Sequence, residues 1–471
     1  MLHWTLLLLA IRCSFAAVTI GNLTVLSYNV AGLPGKLRKI LREYHMIRTE
    51  YLFPELLSSG NPATNTPLIS SRLKPYNIIN VQEDFNYHAA LYASDTHVYR
   101  TSTSGGAGIG SGLNTLSDYP FIDFERTTWA NCNLNGGDCL TPKGFTFMRV
   151  RVSEGVWVDV YNLHTDAGSD AGDISARGKN FAQVSGYIAK WSAGMPVIVM
   201  GDTNARYTRP GDAETLASFI SGNGFTDAWI VNARGGSVPA SGSAALVCDF
   251  PFAAGTTQGQ MVACEVVDKI FIRASPSLTF TASTFVNANN AFVDSVGAPL
   301  SDHYPIMSTL TWRLSSSIRM GDPVGGPHGN PFNDIPALLS GAIPKLSSIT
   351  IRGGNRVDGI SYTVQHSSGS TTTTSHGGSG GTAYTIALVA NERVVETYAC
   401  SGKYNDTTRV FYLRLTTNLG RTLAAGKTTS DCVAVGVPSD AGMSGAWGLV
   451  AFWGRDGNEV DRVAPIWGAV Y

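Results

Sequence analysis

Charged residues are scarce in this sequence, and neither acidic nor basic residues form a run. They make up 15% of the 471 residues, and 34 basic against 35 acidic side chains leave a formal net charge of −1. This balance gives no global electrostatic reason for binding to nucleic acid, although it does not exclude a local basic groove. The hydrophobic share of 44% argues against a disordered chain. The length predicts two, or at most three, folded domains.

Long hydrophobic runs are also absent, so no transmembrane segment is predicted. The apolar run over residues 6–11 is too short to span a bilayer, and small residues follow at Ser14 and Ala16. This arrangement is typical of a secretory signal over residues 1–16, cleaved after Ala16 or Ala17, although its first residues lack Lys or Arg. The alternative is a buried N-terminal strand. We expect a secreted, extracellular protein.

The cysteines lack any CxxC or histidine-interleaved spacing, which excludes a recognisable zinc site. Loss of Cys13 with the signal leaves six, and their order along the chain suggests three local bridges while leaving the pairing open. These six are Cys132, Cys139, Cys248, Cys264, Cys400 and Cys432. Disulfides agree with secretion, and the sequons at Asn22 and Asn405 permit glycosylation on the same route.

The pattern of the chain changes near residue 314. Up to that point, apolar runs typical of strands alternate with loops and a few helical stretches, which predicts two packed sheets with helices outside. Residues 315–324 are polar and rich in Gly and Pro, as in a linker. Beyond them we predict only strands and turns, such as the hairpin around the Gly-Gly-Asn turn at 353–355. The expected fold is an α+β domain over 17–314 followed by an all-β domain over 325–471.

Several polar residues of the first region stand at the ends of apolar strands, where side chains from different strands can converge at one rim of a sandwich. They are Asn29, Glu83, His164, Asp202, Asn204, Asp268, Asp302 and His303. Taken singly, an Asn or Asp after a strand most often caps a turn, and a His is more often a satisfied structural residue than a catalyst. Taken together, they fit metal-assisted hydrolysis of phosphoesters.

A hard divalent cation prefers carboxylate and amide oxygens, so Glu83 and Asn29 are the predicted ligands of Mg²⁺ or Mn²⁺. The metal would neutralise phosphoryl charge and stabilise the leaving oxygen. Asp202 or His303 would orient and deprotonate the attacking water. We expect the adjacent Asp302 to fix the tautomer of His303 and to favour its charged form.

His164 and Asn204 complete this chemistry on the phosphate side. His164 would donate a proton or a hydrogen bond to the phosphate. Asn204 would hydrogen-bond a phosphoryl oxygen without adding negative charge. The alternative for the stretch around Asp268 is an ordinary edge strand.

The motifs YNVAG, QED, NLHT, GDTNA, VDKIF and SDHYP occur in this order across nearly all of residues 23–314. The residues of these motifs and their order resemble those of the endonuclease/exonuclease/phosphatase superfamily. This superfamily has a deoxyribonuclease I-like fold and also includes neutral sphingomyelinases and inositol-polyphosphate 5-phosphatases. The resemblance implies Glu83 as Mg²⁺ ligand with Asn29 close by, and Asp268 as a supporting carboxylate. It also implies Asp302 and His303 as the final dyad.

The same resemblance places the other site residues. It implies Asp202 and Asn204 as groups for the nucleophilic water and the phosphate, and His164 as the phosphate-side histidine. Cys264, four residues before Asp268, resembles a bridge position of secreted nucleases in this family, which favours its pairing with Cys248. With every core motif present, we expect an active metal-dependent hydrolase.

The substrate is less well specified than the reaction. The residues around the QED and NLHT motifs favour an enzyme of the sphingomyelinase or phospholipase C type over a nuclease. A lipid-acting enzyme should carry an exposed apolar wedge, and the loop with Phe285 and Phe292 is a candidate, with burial in the core as the alternative. A nuclease should carry a basic groove, and the one basic cluster, Lys36 to Arg42, has the spacing of a solvated helix face.

Residues 321–471 resemble a jacalin-type lectin domain, which implies a β-prism of three four-stranded sheets. The stretches that carry the resemblance are GGPHGNPFND, ITIRGGNRVDGISY, HGGSGG and GNEVD. The alternative is a set of ordinary Gly-rich hairpin turns. The resemblance implies carbohydrate binding by Gly325, Gly326, Gly457, Asn458, Glu459 and Asp461. Because Gly325 lies inside the chain, mannose- or glucose-type binding is favoured over galactose-type binding.

Three hypotheses for function follow from these patterns. The first is a secreted Mg²⁺-dependent phosphodiesterase that its lectin domain anchors to glycans, which raises the local concentration of substrate. The second is a non-specific secreted nuclease with the same anchor. The third is a lectin whose phosphoesterase-like half is not catalytic. The sequence identifies no protein partner.

Overall fold

The structure is a computed structural model that describes residues 18–33, 61–106, 108–339, 341–438 and 446–469. The predicted signal over 1–16 and the basic cluster from Lys36 to Arg42 lie outside the described residues. Within these ranges, no helix has the length and apolarity needed to cross a bilayer.

The first region contains two mixed sheets. Its strands are β1 (Ile20–Asn29), β2 (Ile78–Gln82), β3 (Tyr99–Arg100), β4 (Asn114–Ser117), β5 (Phe121–Thr128), β6 (Gly144–Ser153), β7 (Val156–His164), β8 (Val197–Asp202), β9 (Thr226–Asp227), β10 (Asp268–Arg273), β11 (Leu278–Ala282), β12 (Val286–Asn287) and β13 (Ile306–Leu314). One sheet has the order β11-β13-β1-β2-β4-β3, with β12 beside β13. The other has the order β5-β6-β7-β8-β10-β9.

Helices flank these sheets. They are α1 (Pro62–Ser70), α2 (His88–Leu91), α3 (Ala171–Trp191), α4 (Asp212–Asn223), α5 (Ala228–Ala233) and α6 (Gln258–Ala263), with 3₁₀ turns at Asn135–Leu140 and Asn289–Ala291. Helix α3 begins with reciprocal capping between Asp170 and Asp173, and its buried Phe181, Val184 and Ile188 share one core with strands of both sheets. The predicted α+β sandwich with outer helices is confirmed.

The second region is built from three sheets. Its strands are β14 (Ile318–Met320), β15 (Val324–Gly325), β16 (Asn330–Asn333), β17 (Lys345–Gly353), β18 (Val357–Gln365), β19 (Thr371–Gly377), β20 (Thr382–Ala387), β21 (Val394–Tyr404), β22 (Thr407–Thr417), β23 (Thr422–Gly426), β24 (Asp431–Gly436), β25 (Trp447–Asp456) and β26 (Val460–Ala469). The sheets have the orders β14-β26-β25-β16 with β15 beside β26, β19-β18-β17-β20, and β23-β22-β21-β24.

This arrangement confirms the predicted all-β, three-sheet fold, with one short helix, α7 (Ile335–Leu338), that the sequence did not predict. The domain boundaries stay predictions. Within the segment 315–324, strand β14 already pairs with β26 of the second region.

A desolvated interface joins the two regions. Asp123, in a bulge of β5 with φ of 61°, accepts two hydrogen bonds from Arg462 and lies 3.2 Å from Arg455. Trp157 of β7 packs edge-on against Trp453 of β25 with ring centroids 5.7 Å apart. Because these groups are buried, the second region is packed against the sheet that carries part of the candidate site.

Candidate active site

The carboxyl ends of parallel strands meet along one edge of the first region. β1 runs parallel to β2, and β7 runs parallel to β8. Asn29 ends β1 and Glu83 follows β2, while His164 and Asp202 end β7 and β8 in register with each other. Asp268 begins the antiparallel strand β10 directly opposite Asp202. The polar rim predicted from the strand ends is therefore present.

Asn29 connects the two sheets at this rim. Its buried Nδ2 donates to Glu83 Oε1 at 3.1 Å and to Asp202 Oδ2 at 3.2 Å, while its Oδ1 accepts from the Ala31 amide at 3.0 Å. Glu83 adopts a left-handed backbone conformation with φ of 58°, a strained geometry that clusters at functional positions. Asn29 thus positions the carboxylate of Glu83, and its own oxygen faces the backbone.

His303 is held by Asp268 and not by its neighbour in sequence. Its Nδ1 lies 3.0 Å from Asp268 Oδ2, and its Nε2 lies 3.6 Å from Asp202 Oδ2. Asp302 instead accepts a hydrogen bond from Ser301 Oγ at 3.4 Å. The prediction that Asp302 fixes the tautomer of His303 is therefore wrong, because Asp268 occupies the ring nitrogen that this role requires. The charge of Asp302 does help to raise the pKa of His303, as predicted.

His303 and Asp202, which lie side by side at the rim, carry charges of opposite sign. Burial alone would lower the pKa of His303, but Asp202 and Asp268 raise it well above its usual value. Burial alone would raise the pKa of Asp202, but the charge of His303 beside it lowers that pKa. At neutral pH, His303 is therefore a cation and Asp202 an anion.

His164 lies at the rim as a buried, neutral ring. Its Nε2 is 3.3 Å from Asp202 Oδ2, and its Nδ1 has no hydrogen-bond partner among the described residues. Burial and the positive charges of Lys143 and His303 lower the pKa of His164 to about 3. Of its two predicted roles, the hydrogen bond to a phosphate fits this state, whereas the donated proton does not.

Asn204 lies two residues beyond the end of β8. Its backbone amide donates to Asp202 Oδ1 at 3.0 Å, and its Nδ2 donates to the Thr165 carbonyl at 3.2 Å. The residue also has a left-handed φ of 47°. Asn204 therefore holds the carboxylate of Asp202 in place through its backbone amide.

Lys143 is a member of the site that sequence reasoning missed. It lies just before β6, its ammonium group pairs with Asp138, and its charge lowers the pKa of His164. Burial opposes its charge, but Asp138, Glu83 and Asp202 together raise the pKa of Lys143. The rim therefore has a partly buried cation whose charge acts on its carboxylates. Its only signal in the sequence was a lysine between a proline and a glycine at the start of a strand.

The donor set at the rim fits a hard divalent cation. Burial and the charge of Asp302 raise the pKa of Glu83, which reflects crowding of anionic groups. Asp268 Oδ1 is buried and unpartnered within the described part of the chain. Asp202, Asp268 and His303 also offer ligand atoms within 4.8 Å of one another. Because Asp268 and His303 already bind each other, the carboxylate of Glu83 is a further group of the rim that could hold such a cation.

The predicted carbohydrate residues of the second region also lie together. The Gly326 amide donates to the Asp461 carbonyl at 2.8 Å, and the Gly457 amide donates to the Glu459 carbonyl at 3.0 Å. A side chain at Gly325 would meet the Asp461 carbonyl at 2.2 Å, so this position requires glycine. Asn458 is exposed at the tip of the same loop.

Two arginines that the sequence did not single out engage the carboxylates of this loop. Arg409 pairs with Asp461 and, at 3.3 Å, with Glu459. Arg356 pairs with Glu459 as well. Asp461 is consequently almost fully buried and ion-paired, so a sugar hydroxyl would have to share it with Arg409.

The remaining predictions have mixed outcomes. Three disulfides join Cys132 to Cys139, Cys248 to Cys264 and Cys400 to Cys432. The sequon residues Asn22 and Asn405 are exposed, and their glycosylation stays a prediction. Phe285 and Phe292 are buried, with Phe292 packed edge-on against Tyr28 at 5.0 Å, so the predicted apolar wedge is wrong and the core alternative is correct.

Two family models match the chain in the order that the motifs indicated. One, described as Endonuclease/Exonuclease/phosphatase family 2, matches residues 63–231, and one described as Jacalin-like lectin domain matches residues 321–465. The match to each family covers a different region. The chain therefore matches the two family models one after the other.

The chain is also similar to individual proteins. A sphingomyelinase of Mycobacterium bovis is 36% identical over 292 residues, which cover 60% of this chain and 52% of the relative, so the chain spans about half the length of that relative. Horcolin of Hordeum vulgare subsp. vulgare is 30% identical over 156 residues, covering 32% of this chain and 96% of horcolin. A mannose-binding jacalin-related lectin from Ananas comosus is similar in structure, with 23% identity, coverage of 33% of this chain and 99% of that chain, and a TM-score of 0.28.

Proposed function

The chain carries an endonuclease/exonuclease/phosphatase family domain and belongs to the jacalin-like lectin family through the region that follows it, and from this premise we propose a secreted Mg²⁺-dependent phosphodiesterase. Its substrate class is a phospholipid of the sphingomyelinase or phospholipase C type. Its lectin region anchors the enzyme to glycans on a surface. The identity with a sphingomyelinase, 36% over 292 residues, supports a lipid over a nucleic-acid substrate.

The observation that carries this proposal is the convergence of strand-end residues from both sheets on one rim. Asn29 bridges Glu83 and Asp202, and His303 lies between Asp202 and Asp268. Purely structural carboxylates would be expected to have their partners supplied by the protein, yet Asp268 Oδ1 lacks one among the described residues. The rim thus has the acceptors and cations that a phosphodiester and its metal require.

Each residue of the rim has a distinct task in this mechanism. Asp202, ionised at neutral pH, orients the attacking water and accepts its proton. His303, held as a cation by Asp268, donates a hydrogen bond to a phosphoryl oxygen. Lys143 adds a second positive charge on the phosphate side.

The metal supplies one further effect. Mg²⁺ bound near Glu83 would neutralise phosphoryl charge and stabilise the leaving oxygen, which in an in-line displacement departs on the side away from the water. Asn29 keeps the Glu83 carboxylate oriented for that role through the 3.1 Å hydrogen bond.

One set of assays tests the proposal. The purified protein with Mg²⁺ is assayed on sphingomyelin and phosphatidylcholine liposomes, on plasmid DNA and on bis-p-nitrophenyl phosphate, with and without EDTA. We expect hydrolysis of lipid that EDTA abolishes and that His303→Ala removes. Cleavage of DNA without cleavage of lipid would favour the nuclease hypothesis, and no turnover at all would favour a lectin with a non-catalytic half.

The glycan anchor is tested separately. A glycan array measures binding by the intact protein. The variant Asp461→Asn, which replaces the carboxylate of the predicted carbohydrate-binding loop with an amide, should reduce the signal. Binding that is absent in the wild-type protein would remove the anchor from the proposal while leaving the hydrolase untouched.

A further inference from the structure

Two arginines lie at the base of the predicted carbohydrate-binding loop. The loop residues from Gly457 to Asp461 are at the turn between β25 and β26. Arg455 and Arg462 are directly opposite each other in this hairpin, as the last pair before its register shifts toward the turn. Arg462 follows Asp461 directly, and Arg455 lies two residues before Gly457. A shift of these two arginines would therefore shift both ends of the loop.

The same arginines contact the other half of the predicted carbohydrate site. Arg462 of β26 is the strand partner of Gly325 in β15. Arg455 donates a hydrogen bond from Nη1 to the carbonyl of Pro327, the residue after Gly326. The two arginines thus join the first-strand glycines to the hairpin that carries the loop.

This pair of arginines needs a compensating negative charge. Like charges directly opposite each other on adjacent strands repel, and burial of both side chains weakens the screening of that repulsion. Asp123, in the bulge of β5, accepts two hydrogen bonds from Arg462 at 2.7 and 2.8 Å and lies 3.2 Å from Arg455. The carboxylate that offsets the arginine pair therefore comes from the first region.

The first region presents Asp123 in a form suited to this contact. Its backbone is left-handed, with φ of 61°, a conformation that aspartate tolerates better than most residues. Burial alone would raise the pKa of Asp123, but Arg462 and Arg455 lower it, so the carboxylate is ionised at neutral pH. Arg455 also lies over the ring of Trp191 in α3, 4.5 Å from its centroid. An anion and an aromatic ring of the first region thus hold the base of the loop.

We propose that Asp123 is a positioning residue for carbohydrate binding, through which the first region holds the loop of the second region in its binding conformation. The inference rests on the glycan anchor of the proposed function and adds to it a residue from outside the lectin region. Asp123 acts on the sugar through Arg455 and Arg462. Because such coupling is reciprocal, a bound sugar should in turn strengthen the contact between the two regions.

The test measures sugar affinity in the intact protein. In calorimetric titrations with methyl α-mannopyranoside, Asp123→Asn should raise the dissociation constant about tenfold, because it keeps the size of the side chain and leaves the arginine pair uncompensated. Asp123→Glu keeps the charge and should retain most of the wild-type affinity. Turnover of bis-p-nitrophenyl phosphate should be equal in all three proteins.

Asp322→Asn is the matched control at the same interface. The carboxylate of Asp322, in the second region, accepts hydrogen bonds from Arg151 at 2.6 and 2.8 Å and from Trp157 Nε1 at 3.2 Å. Both partners belong to the first region, and neither is part of the β25–β26 hairpin. This variant should keep the wild-type dissociation constant. An increase equal to that of Asp123→Asn would show that general loosening of the interface is the cause, and it would overturn the inference.

A second measurement needs only the wild-type protein, so it holds even if Asp123→Asn does not fold. Saturating methyl α-mannopyranoside should slow amide hydrogen exchange in β5, by a factor of up to about ten, because the bound sugar stabilises the contact at Asp123. Exchange in β5 that is unchanged by saturating sugar would contradict the coupling.

The outcomes separate this inference from the proposed function. Sugar binding by Asp123→Asn as tight as that of the wild-type protein would overturn the inference and leave the glycan anchor in place. A wild-type protein that binds no mannoside would also overturn it, and the absence of any signal on a glycan array would remove the glycan anchor as well.

Discussion

His164 in the first region is buried and His376 in the second is partly buried, and the groups around the two rings differ in kind. His376, in β19, has Nε2 at 3.0 Å from Asp334 Oδ2 and Nδ1 at 3.5 Å from Asp456 Oδ2, and its ring stacks on Phe332 at 3.7 Å. His164 has one nitrogen beside Asp202 and the other without a partner among the described residues. Both ring nitrogens of His376 therefore have a partner, whereas one ring nitrogen of His164 has none among the described residues.

The difference extends to charge. Burial alone would lower the pKa of His376, but its bonds with Asp334 and Asp456 raise it to about 9, so this ring is a cation. Burial lowers the pKa of His164 to about 3, so that ring is neutral. We infer that a histidine whose two ring nitrogens both lie beside carboxylates of the protein serves the fold. A buried histidine at a polar rim, with one nitrogen unpartnered among the described residues, is available to a ligand.

The largest expected effect lies at the rim. His303→Ala should lower kcat on the phosphodiester substrate about 10²–10⁴-fold with a small change in stability, because it removes a catalytic cation from a partly exposed position. Kinetics and thermal unfolding of the same preparation check both halves of this expectation. If His376→Ala lowered kcat of the folded protein as much as His303→Ala, the division between catalytic and structural histidines would fail.

For His376 we expect the opposite result, a loss of stability without a loss of activity. His376→Ala should destabilise the second region by about 3–5 kcal/mol, because the buried carboxylate of Asp334 loses its ion-pair partner. Urea unfolding followed by tryptophan fluorescence measures the loss, and hydrolysis per folded molecule should stay at the wild-type level. An unchanged unfolding midpoint would show that the saturated histidine is dispensable.

The interface between the regions offers an intermediate case. Asp123→Asn removes the negative charge that Arg455 and Arg462 share, and it should cost about 2–4 kcal/mol. Limited proteolysis should become faster near 315–324, while turnover of bis-p-nitrophenyl phosphate should not change. Protease resistance equal to that of the wild-type protein would indicate that the aromatic contacts alone hold the regions together.

The smallest effect is in the pH dependence of stability. The folded pKa of His376 is raised, so its contribution is complete below about pH 6.5 and is lost as the pH rises toward 9. The folded pKa of His164 is lowered, so stability falls as the pH drops from about 6.5 toward 3. Unfolding midpoints of His376→Gln across this range should lack the alkaline loss only. A variant curve parallel to that of the wild-type protein would contradict the assignment.

Much of the rim could be predicted because an apolar strand followed by a polar residue is visible in sequence. Asn29, His164 and Asp202 end their strands as the patterns indicated. The partner of His303 could not be read this way, since Asp268 is distant in sequence and is brought close by the pairing of β10 with β8. Adjacency in sequence favoured Asp302 as the partner of His303, but the pairing of the strands places Asp268 there instead.

Residues that precede a strand or lie in a bulge carried no such signal. Lys143 reaches the rim through its pairing with Asp138 in the disulfide loop, and that loop has no periodicity to interpret. Asp123 has a left-handed backbone inside an otherwise ordinary strand. The burial of Phe292 likewise depends on packing against Tyr28 from a different part of the chain.

The catalytic role of the rim is tested most directly by the release of phosphocholine from sphingomyelin liposomes by the wild-type protein, His303→Ala and His376→Gln in Mg²⁺. We expect release by the wild-type protein and by folded His376→Gln, abolished in both by EDTA, and loss of release in His303→Ala. Undiminished release by His303→Ala, or none by the wild-type protein, would contradict the assignment of the rim as the catalytic site.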